Sequence, residues 1–145
     1  MKHLDLLGAE LKSDFLCDLF ETHDVRVIYQ YDRNHEGATD EYLAAIPELG
    51  LEFIFDARQT LRTIFVTLIE IRTFNPFDAL ADSCHVFESK NNAKQFAISN
   101  GVKQKEGHAE FLGELRDWIR FDYPDYSIHY EFRNQQLGQI TLSAK

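Results

Sequence analysis

Two stretches of this chain align with each other without a gap, and this internal similarity constrains the fold more than any other feature. Residues 41–56 match residues 118–133, with Pro47 opposite Pro124 and an alternating apolar triplet after each proline. The triplets are Leu51, Phe53 and Phe55 in the first stretch and Ile128, Tyr130 and Phe132 in the second. A period of two places such side chains on one face of a β-strand. Each stretch therefore predicts a strand, a proline turn and a second strand.

The similarity extends on both sides of these stretches. After a one-residue gap, a third strand is expected in each half beyond the turns at 56–59 and 133–136, so each half ends in a hairpin. Upstream, Ser13 and Ser89 are suitable N-caps for one helix each. Gly101 is placed to end the second helix in the left-handed conformation.

The two halves differ in the segment between the helix and the first matched strand. In the first half, Val25 to Tyr31 has strong β propensity and predicts an extra strand. Its counterpart, Val102 to Leu115, contains glycine and several glutamates, and its pattern is typical of a loop or a short helix.

These features predict an α+β protein made of two tandem helix-plus-antiparallel-sheet units packed into one domain. The first unit is expected at 1–71 and the second at 89–145, joined by a connection at 72–88. The connection is expected to be ordered because it is too apolar for a free linker. Its large apolar residues are Phe74, Phe77, Leu80, Val86 and Phe87. The alternative to duplication is chance similarity, because any two amphipathic hairpins resemble each other. The paired proline turns and the repeated order of elements favour duplication.

The charge balance narrows the choice of partners. The chain has 145 residues, with 24 acidic residues against 15 basic ones and a formal net charge of −9. A nucleic-acid binder needs a basic surface, and an anionic membrane repels this charge, so neither partner is expected. An acidic surface would accelerate encounter with a cationic protein, although net negative charge can also serve solubility alone.

The cysteines and the N-terminal residues indicate a cytoplasmic protein. Cys17 and Cys84 follow no metal or redox spacing, and we expect both to be free, buried thiols. The N-terminal residues reach Asp5 and Glu10 before an apolar signal-like run develops, and no apolar segment approaches the length of a membrane span.

Motifs that carry chemistry are missing from the sequence. There is no glycine-rich phosphate loop and no nucleophile elbow. A metal site could combine His108 and Glu110 with a distant ligand, but this spacing is not a zinc motif by itself. The carboxylate pairs fall in or beside turns, where aspartate is an ordinary turn former. We therefore expect a protein that is not an enzyme and has no metal or cofactor.

Binding is better supported, because carboxylates and tyrosines occur together in two segments. Aromatic anchors ringed by carboxylates suit an interface with a basic protein. The candidate partner-binding residues are Asp32, Glu36, Asp40, Glu41, Tyr42 and Glu48 in the first half, and Asp122, Tyr123, Asp125 and Tyr126 in the second. Trp118 and Tyr130 are expected on the core face of a sheet instead, whereas His129 is expected to face outward.

The order of elements resembles the repeat of β-lactamase-inhibitor-protein-like folds. The resemblance covers most of the chain and rests on Ser89–Gly101, Trp118–Phe121, Ile128–Phe132 and Leu137–Leu142. The chain is also similar to small bacterial immunity proteins encoded beside polymorphic secreted toxins. That similarity rests on Leu6-Leu7-Gly8 before the first helix and on the acidic-aromatic strand at 122–130.

The resemblance implies an inhibitor that neutralises a cognate basic toxin, such as a nuclease, through an acidic, aromatic-rich surface. Carboxylates would then take the place of substrate phosphates. Two alternatives remain open at this point. One is a small-ligand-binding or enzymatic domain with a pocket between the repeats, for which a cleft with converging polar groups would be the sign. The other is a structural adaptor, for which self-association through an edge strand would be the sign.

Overall fold

A computed structural model describes residues 3–31, 37, 39–70, 74–77 and 85–145. Within these residues, two α-helices and eight β-strands follow one another, with short 3-10 turns at His3–Leu6 and Pro47–Leu49. The elements are α1 (Asp14–Thr22), β1 (Arg26–Gln30), β2 (Glu41–Ile46), β3 (Leu51–Phe55), β4 (Leu61–Thr67), α2 (Lys90–Ser99), β5 (Lys103–Phe111), β6 (Glu114–Asp122), β7 (Tyr126–Arg133) and β8 (Gln136–Ala144).

All eight strands form one antiparallel sheet in the order β1-β2-β3-β4-β8-β7-β6-β5. The expected fold class, two helix-plus-sheet units, is therefore wrong, because β4 pairs directly with β8 and no boundary divides the sheet. Ile64 lies opposite Leu142 and Val66 lies opposite Ile140 in this junction. Joining the two final strands satisfies backbone groups that two separate sheets would leave unpaired at their edges.

One face of the sheet carries the hydrophobic core. The alternating triplets predicted from the sequence lie on this face, and Phe53, Phe55, Tyr130 and Phe132 are almost fully buried there. Both helices pack over the same face. The Phe20 ring of α1 lies 5.7 Å from Phe53, and the Phe96 ring of α2 lies 6.0 Å from Phe121. We call this the helix-covered face and the opposite side the outer face.

The helix ends agree with the sequence prediction, with one difference in capping. Ser89 Oγ accepts a hydrogen bond from the Asn92 amide at 3.1 Å, whereas Ser13 has N-cap geometry but makes no side-chain capping bond. Gly101 follows α2 with a φ of 64°, as expected for a left-handed helix stop. None of the helices in the described part of the chain is long and apolar enough to cross a membrane.

The segment predicted as a loop or short helix at 102–115 is instead mostly the edge strand β5. This prediction was wrong because β5 is polar on both sides and shows no apolar period, although it pairs with β6 along its whole length. Gly107 within it is covered by the Trp118 ring, and a Cβ there would lie 2.7 Å from Trp118 Cε2. Trp118 itself was expected on the core face, but it lies on the outer face beside buried Ile119.

The connection between the halves is described only in part. Asn75 donates its amide to Pro47 O at 2.8 Å, and Phe77 donates to Thr67 O at 2.7 Å, so 74–77 is held by backbone bonds against the first half. Phe87 is buried in the core, whereas Val86 is exposed. Leu80 and Cys84 lie outside the described residues, while Cys17 is a half-buried free thiol.

Candidate functional site

Strand β1 forms one edge of the sheet, and it is apolar and exposed at the same time. All five of its residues are exposed. Val27 is 59% exposed, Ile28 55%, Tyr29 48% and the following Tyr31 52%. The register places these apolar side chains on both faces of the sheet. Val27 and Tyr29 lie on the helix-covered face, opposite Ala44 and Tyr42, and Ile28 lies on the outer face. The edge thus presents apolar side chains on both sides.

Three tyrosines stack along this edge. The Tyr29 ring lies 4.7 Å from Tyr42 and 5.9 Å from Tyr31, with nearly parallel planes. The Tyr29 hydroxyl donates a hydrogen bond to Asp40 Oδ2 at 2.8 Å. This bond to a carboxylate is the main cause that raises the pKa of Tyr29. Glu41 lies on β2 opposite Gln30, and its side chain points to the outer face, away from the stack.

The first predicted cluster is thereby partly assembled. Asp40, Glu41 and Tyr42 lie together at the β1–β2 edge, and we call these residues with Val27, Ile28, Tyr29 and Tyr31 the tyrosine edge. Glu48 lies apart, in the turn at Pro47–Leu49, where it lines a depression with Asp24 and Arg26. Asp32 and Glu36 lie outside the described residues.

The second predicted cluster has a different character. Asp122 is only 11% exposed, and its carboxylate lies 3.0 Å from Arg120 Nε and 3.8 Å from Lys145 Nζ. Tyr123 and Tyr126 stack on each other at 4.7 Å, and both pack against the core. Burial is the main cause that raises the pKa of Tyr123. Asp125 is exposed in the turn. Only Asp125 of these four presents a free acidic side chain to solvent.

The two clusters do not form one surface. Strand β2 is separated from β7 by three strands, which places them about 19 Å apart across the sheet. The two predicted clusters, each near one of the aligned proline turns, therefore differ in burial and in charge. Tyr29 and Tyr31 stand beside the acidic segment in the sequence, whereas Val27 and Ile28 are not predicted as contact residues, although their segment has strong β propensity. The signal that could have found them is an uninterrupted apolar run in a strand next to an acidic segment.

The outer face carries an ion-pair cluster on β6 and β7. Arg116 and Arg133 lie opposite each other in the register. Each arginine forms ion pairs with both Glu114 and Glu131. The nitrogen–oxygen distances in this cluster lie between 3.6 and 3.8 Å. Nearby, the His129 ring stacks on Trp118 at 5.3 Å. Burial is the main cause that lowers the pKa of His129, and Arg120 adds to it, while Glu131 acts in the opposite direction.

A depression of about 430 Å³ lies on the outer face where the two halves of the sheet meet. Glu52, Phe65 and Phe74 line it from the first half, and Arg116 and Arg133 line it from the second. Glu52 is half-buried, and burial raises the pKa of its carboxyl above the ordinary value of 4.5. A raised carboxyl pKa means that the folded state disfavours the ionised form.

Replacement of Glu52 with glutamine is expected to stabilise the protein at pH 7. The folded-state pKa of Glu52 lies above its unfolded value, so its favourable contribution exists at low pH and is lost as pH rises through the folded pKa. Glutamine stays neutral throughout. The gain should stay below about 1 kcal/mol, because a half-buried carboxylate is still solvated, and should vanish below pH 4. Urea unfolding of both proteins at several pH values measures it.

Glu110→Gln, on β5, is the control for that experiment, because Glu110 is exposed. A difference in stability between Glu52→Gln and the wild type that stays constant with pH would contradict an effect of ionisation.

Among the described residues, no group of three or more histidine, cysteine, aspartate or glutamate side chains is arranged to hold a metal ion. His108 and Glu110 are both on β5, and they point to the same face, but no third ligand of this kind joins them in the described part of the chain.

No family model matches the chain, and no solved structure matches it significantly. The chemistry of its surfaces is therefore the basis for a functional proposal.

Proposed function

We propose that this protein is a cytoplasmic, non-catalytic inhibitor that binds a cognate basic toxin, as immunity proteins do, and that the tyrosine edge is its contact surface. The observation that carries the proposal is the edge strand β1, whose large apolar side chains are exposed on both sides. Edge strands are ordinarily protected by charges, prolines or a covering element. An exposed apolar patch beside an unpaired strand edge is typical of a protein interaction site.

The side chains of this edge suit a cationic partner. Stacked tyrosines offer large, rigid contact areas, and tyrosine is common among residues that dominate binding energy. Asp40 places a carboxylate at the border of the stack, and Glu41 adds one on the outer face of the same edge. An arginine or lysine of the partner could then lie over a tyrosine ring while it pairs with a carboxylate.

The charge of the whole chain supports the same partner. A net charge of −9 attracts a basic protein over distances beyond direct contact. Toxins that act on nucleic acid are basic for the reason that their substrate is anionic. An immunity protein that covers such a toxin would meet a cationic surface, which agrees with the acidic composition and with the resemblance to immunity proteins.

The test is co-expression of the chain with the product of the neighbouring gene, followed by purification and a measurement of protection from the toxin. We expect a complex that survives purification at low salt and that weakens as the salt concentration rises, because screening reduces attraction between charged surfaces. A neighbouring gene product that is basic and toxic but forms no complex would overturn the proposal.

A ligand-binding domain is the second candidate, and one observation favours it. The depression at Glu52 lies where the two halves meet and combines carboxylate, guanidinium and aromatic side chains. Its two arginines already pair with Glu131, so less of its polar capacity is free than the lining suggests. A small molecule that remains bound through purification and contacts Glu52 would favour this function over inhibition.

A further inference from the structure

We infer that a cavity at the opposite edge of the sheet from the tyrosine edge binds a phosphorylated small molecule, independently of the proposed inhibitor function. The cavity has a volume of about 670 Å³ on the outer face of β5, β6 and β7. Its lining includes four cationic side chains, Lys103, Lys105, Arg120 and Lys145. Asp122 is the single carboxylate among the lining residues, so the lining side chains carry a formal charge of +3.

This concentration of positive charge opposes the composition of the chain. The protein as a whole carries −9, so clustering of cations is not explained by a general excess of basic residues. The register places the cations close together on one face. Lys105 lies directly opposite Arg120, and Lys103 lies opposite Asp122. Adjacent strands are about 4.8 Å apart, and residues two apart on a strand about 6.6 Å, so their side chains can converge on one anion.

The described residues neutralise these charges only in part. Asp122 is shared between Arg120 and Lys145. Within the described part of the chain, Lys103 and Lys105 have no ion-pair partner, and both are exposed. Like charges directly opposite each other on paired strands destabilise a sheet. A bound anion would offset the repulsion between Lys105 and Arg120, and this gain in stability would favour binding.

Arg120 is held in place by Asp122 at the border of the cavity. Its Nη2 donates to Asp122 Oδ2 at 3.3 Å, which fixes the side chain over the outer face. Its Nε is buried and lies 3.0 Å from Asp122 Oδ1, so this carboxylate anchors the guanidinium, while the side chain as a whole is 36% exposed. Ser127 lies opposite Asp122 on the neighbouring strand β7, and its hydroxyl can donate to an oxyanion.

The chemistry of the cavity favours phosphate over a single carboxylate. Several ammonium groups around one guanidinium suit an oxyanion with more than one negative charge. The cavity is larger than a phosphate group, and Tyr123 and Pro124 form its less polar wall. An organic group attached to the phosphate would contact that wall, and a planar one could stack on the tyrosine ring. A nucleoside monophosphate has both parts.

The test is an NMR titration of the full chain with inorganic phosphate, AMP and adenosine at constant ionic strength. We expect saturable shifts of the Lys103, Lys105 and Arg120 amides with phosphate and with AMP, and tighter binding of AMP. The double variant Lys103→Gln/Lys105→Gln should bind AMP at least about tenfold more weakly, because two charge-assisted contacts are lost. Both lysines are exposed on an edge strand, so the variant should fold.

Lys12→Gln removes an exposed lysine elsewhere and should bind AMP as the wild type does. A second readout is the pKa of His129, which should rise when an anion offsets the charge of Arg120. Shifts that equal those caused by chloride, or AMP binding unchanged in the double variant, would overturn the inference. Stronger binding of a glutamate-rich peptide than of AMP at the same amides would also overturn it in favour of an acidic protein segment.

Discussion

Replacement of Gly50 with alanine is expected to lower the free energy of unfolding by about 3 to 5 kcal/mol. Gly50 has a φ of 69°, which side-chain-bearing residues rarely adopt. A Cβ there would lie 2.4 Å from Asn75 O and 2.9 Å from Thr67 O. Both neighbours are backbone atoms, so no side-chain rotation can remove the clash. Urea unfolding of the variant and the wild type measures the loss.

The clash would disrupt several bonds at once. Thr67 donates its amide to Gly50 O at 2.8 Å, and Phe77 donates in turn to Thr67 O. The 74–77 segment must therefore move away if a methyl group is added at Gly50. The matched control is Gly101→Ala, because Gly101 has a φ of 64° and open space where a Cβ would stand. That variant should lose only about 1 to 2 kcal/mol. Equal losses in both variants would contradict the backbone clash.

Removal of two tyrosine rings from the tyrosine edge is expected to weaken the proposed complex at least about 100-fold. The double variant Tyr29→Ala/Tyr31→Ala removes the middle ring and one end ring of the stack and leaves Tyr42 in place. Both residues are about half exposed, so little core packing is lost and the variant should fold. The dissociation constant of the purified complex, measured by calorimetry, is the direct readout, and loss of protection from the toxin is the cellular one.

Two further variants separate the contributions of the edge. Ile98→Ala truncates another exposed apolar residue, on α2, and should leave the affinity unchanged. Tyr29→Phe keeps the ring but removes the hydroxyl that donates to Asp40, so it should weaken binding only a few-fold. A stable complex that tolerates the double variant would place the contact elsewhere and would leave the inhibitor function to be tested at the outer face.

Local patterns in the sequence were sufficient to predict most of the elements. The strands β3 and β7 are predictable because their apolar residues alternate strictly, and burial of every second side chain is a local property of a strand. The N-cap of α2 was recognised for a similar reason, since Ser89 caps its own helix through a residue three positions away. Such signals need no knowledge of distant parts of the chain.

The site could be predicted only in part. Asp40, Glu41 and Tyr42 are adjacent in the chain, so their grouping followed from the sequence, but their tyrosine partners on β1 came from strand pairing. Asp122 is predicted as an exposed acidic contact, but the fold leaves it only 11% exposed, beside Arg120, Lys103 and Lys145. Its neighbours Lys103 and Lys145 are 19 and 23 residues away along the chain. The overall charge of −9 likewise concealed a local excess of positive charge.

Sequence patterns predict most of the strands, the starts of both helices and the side chains that alternate into the core. The tertiary structure alone decided that β4 pairs with β8 to give one sheet, that polar β5 becomes an edge strand, and that Gly50 meets the backbone of 74–77. The physical reason is that an alternating pattern records which face of a strand is buried. It carries no information on which backbone edge will pair, because every residue except proline offers the same donor and acceptor there.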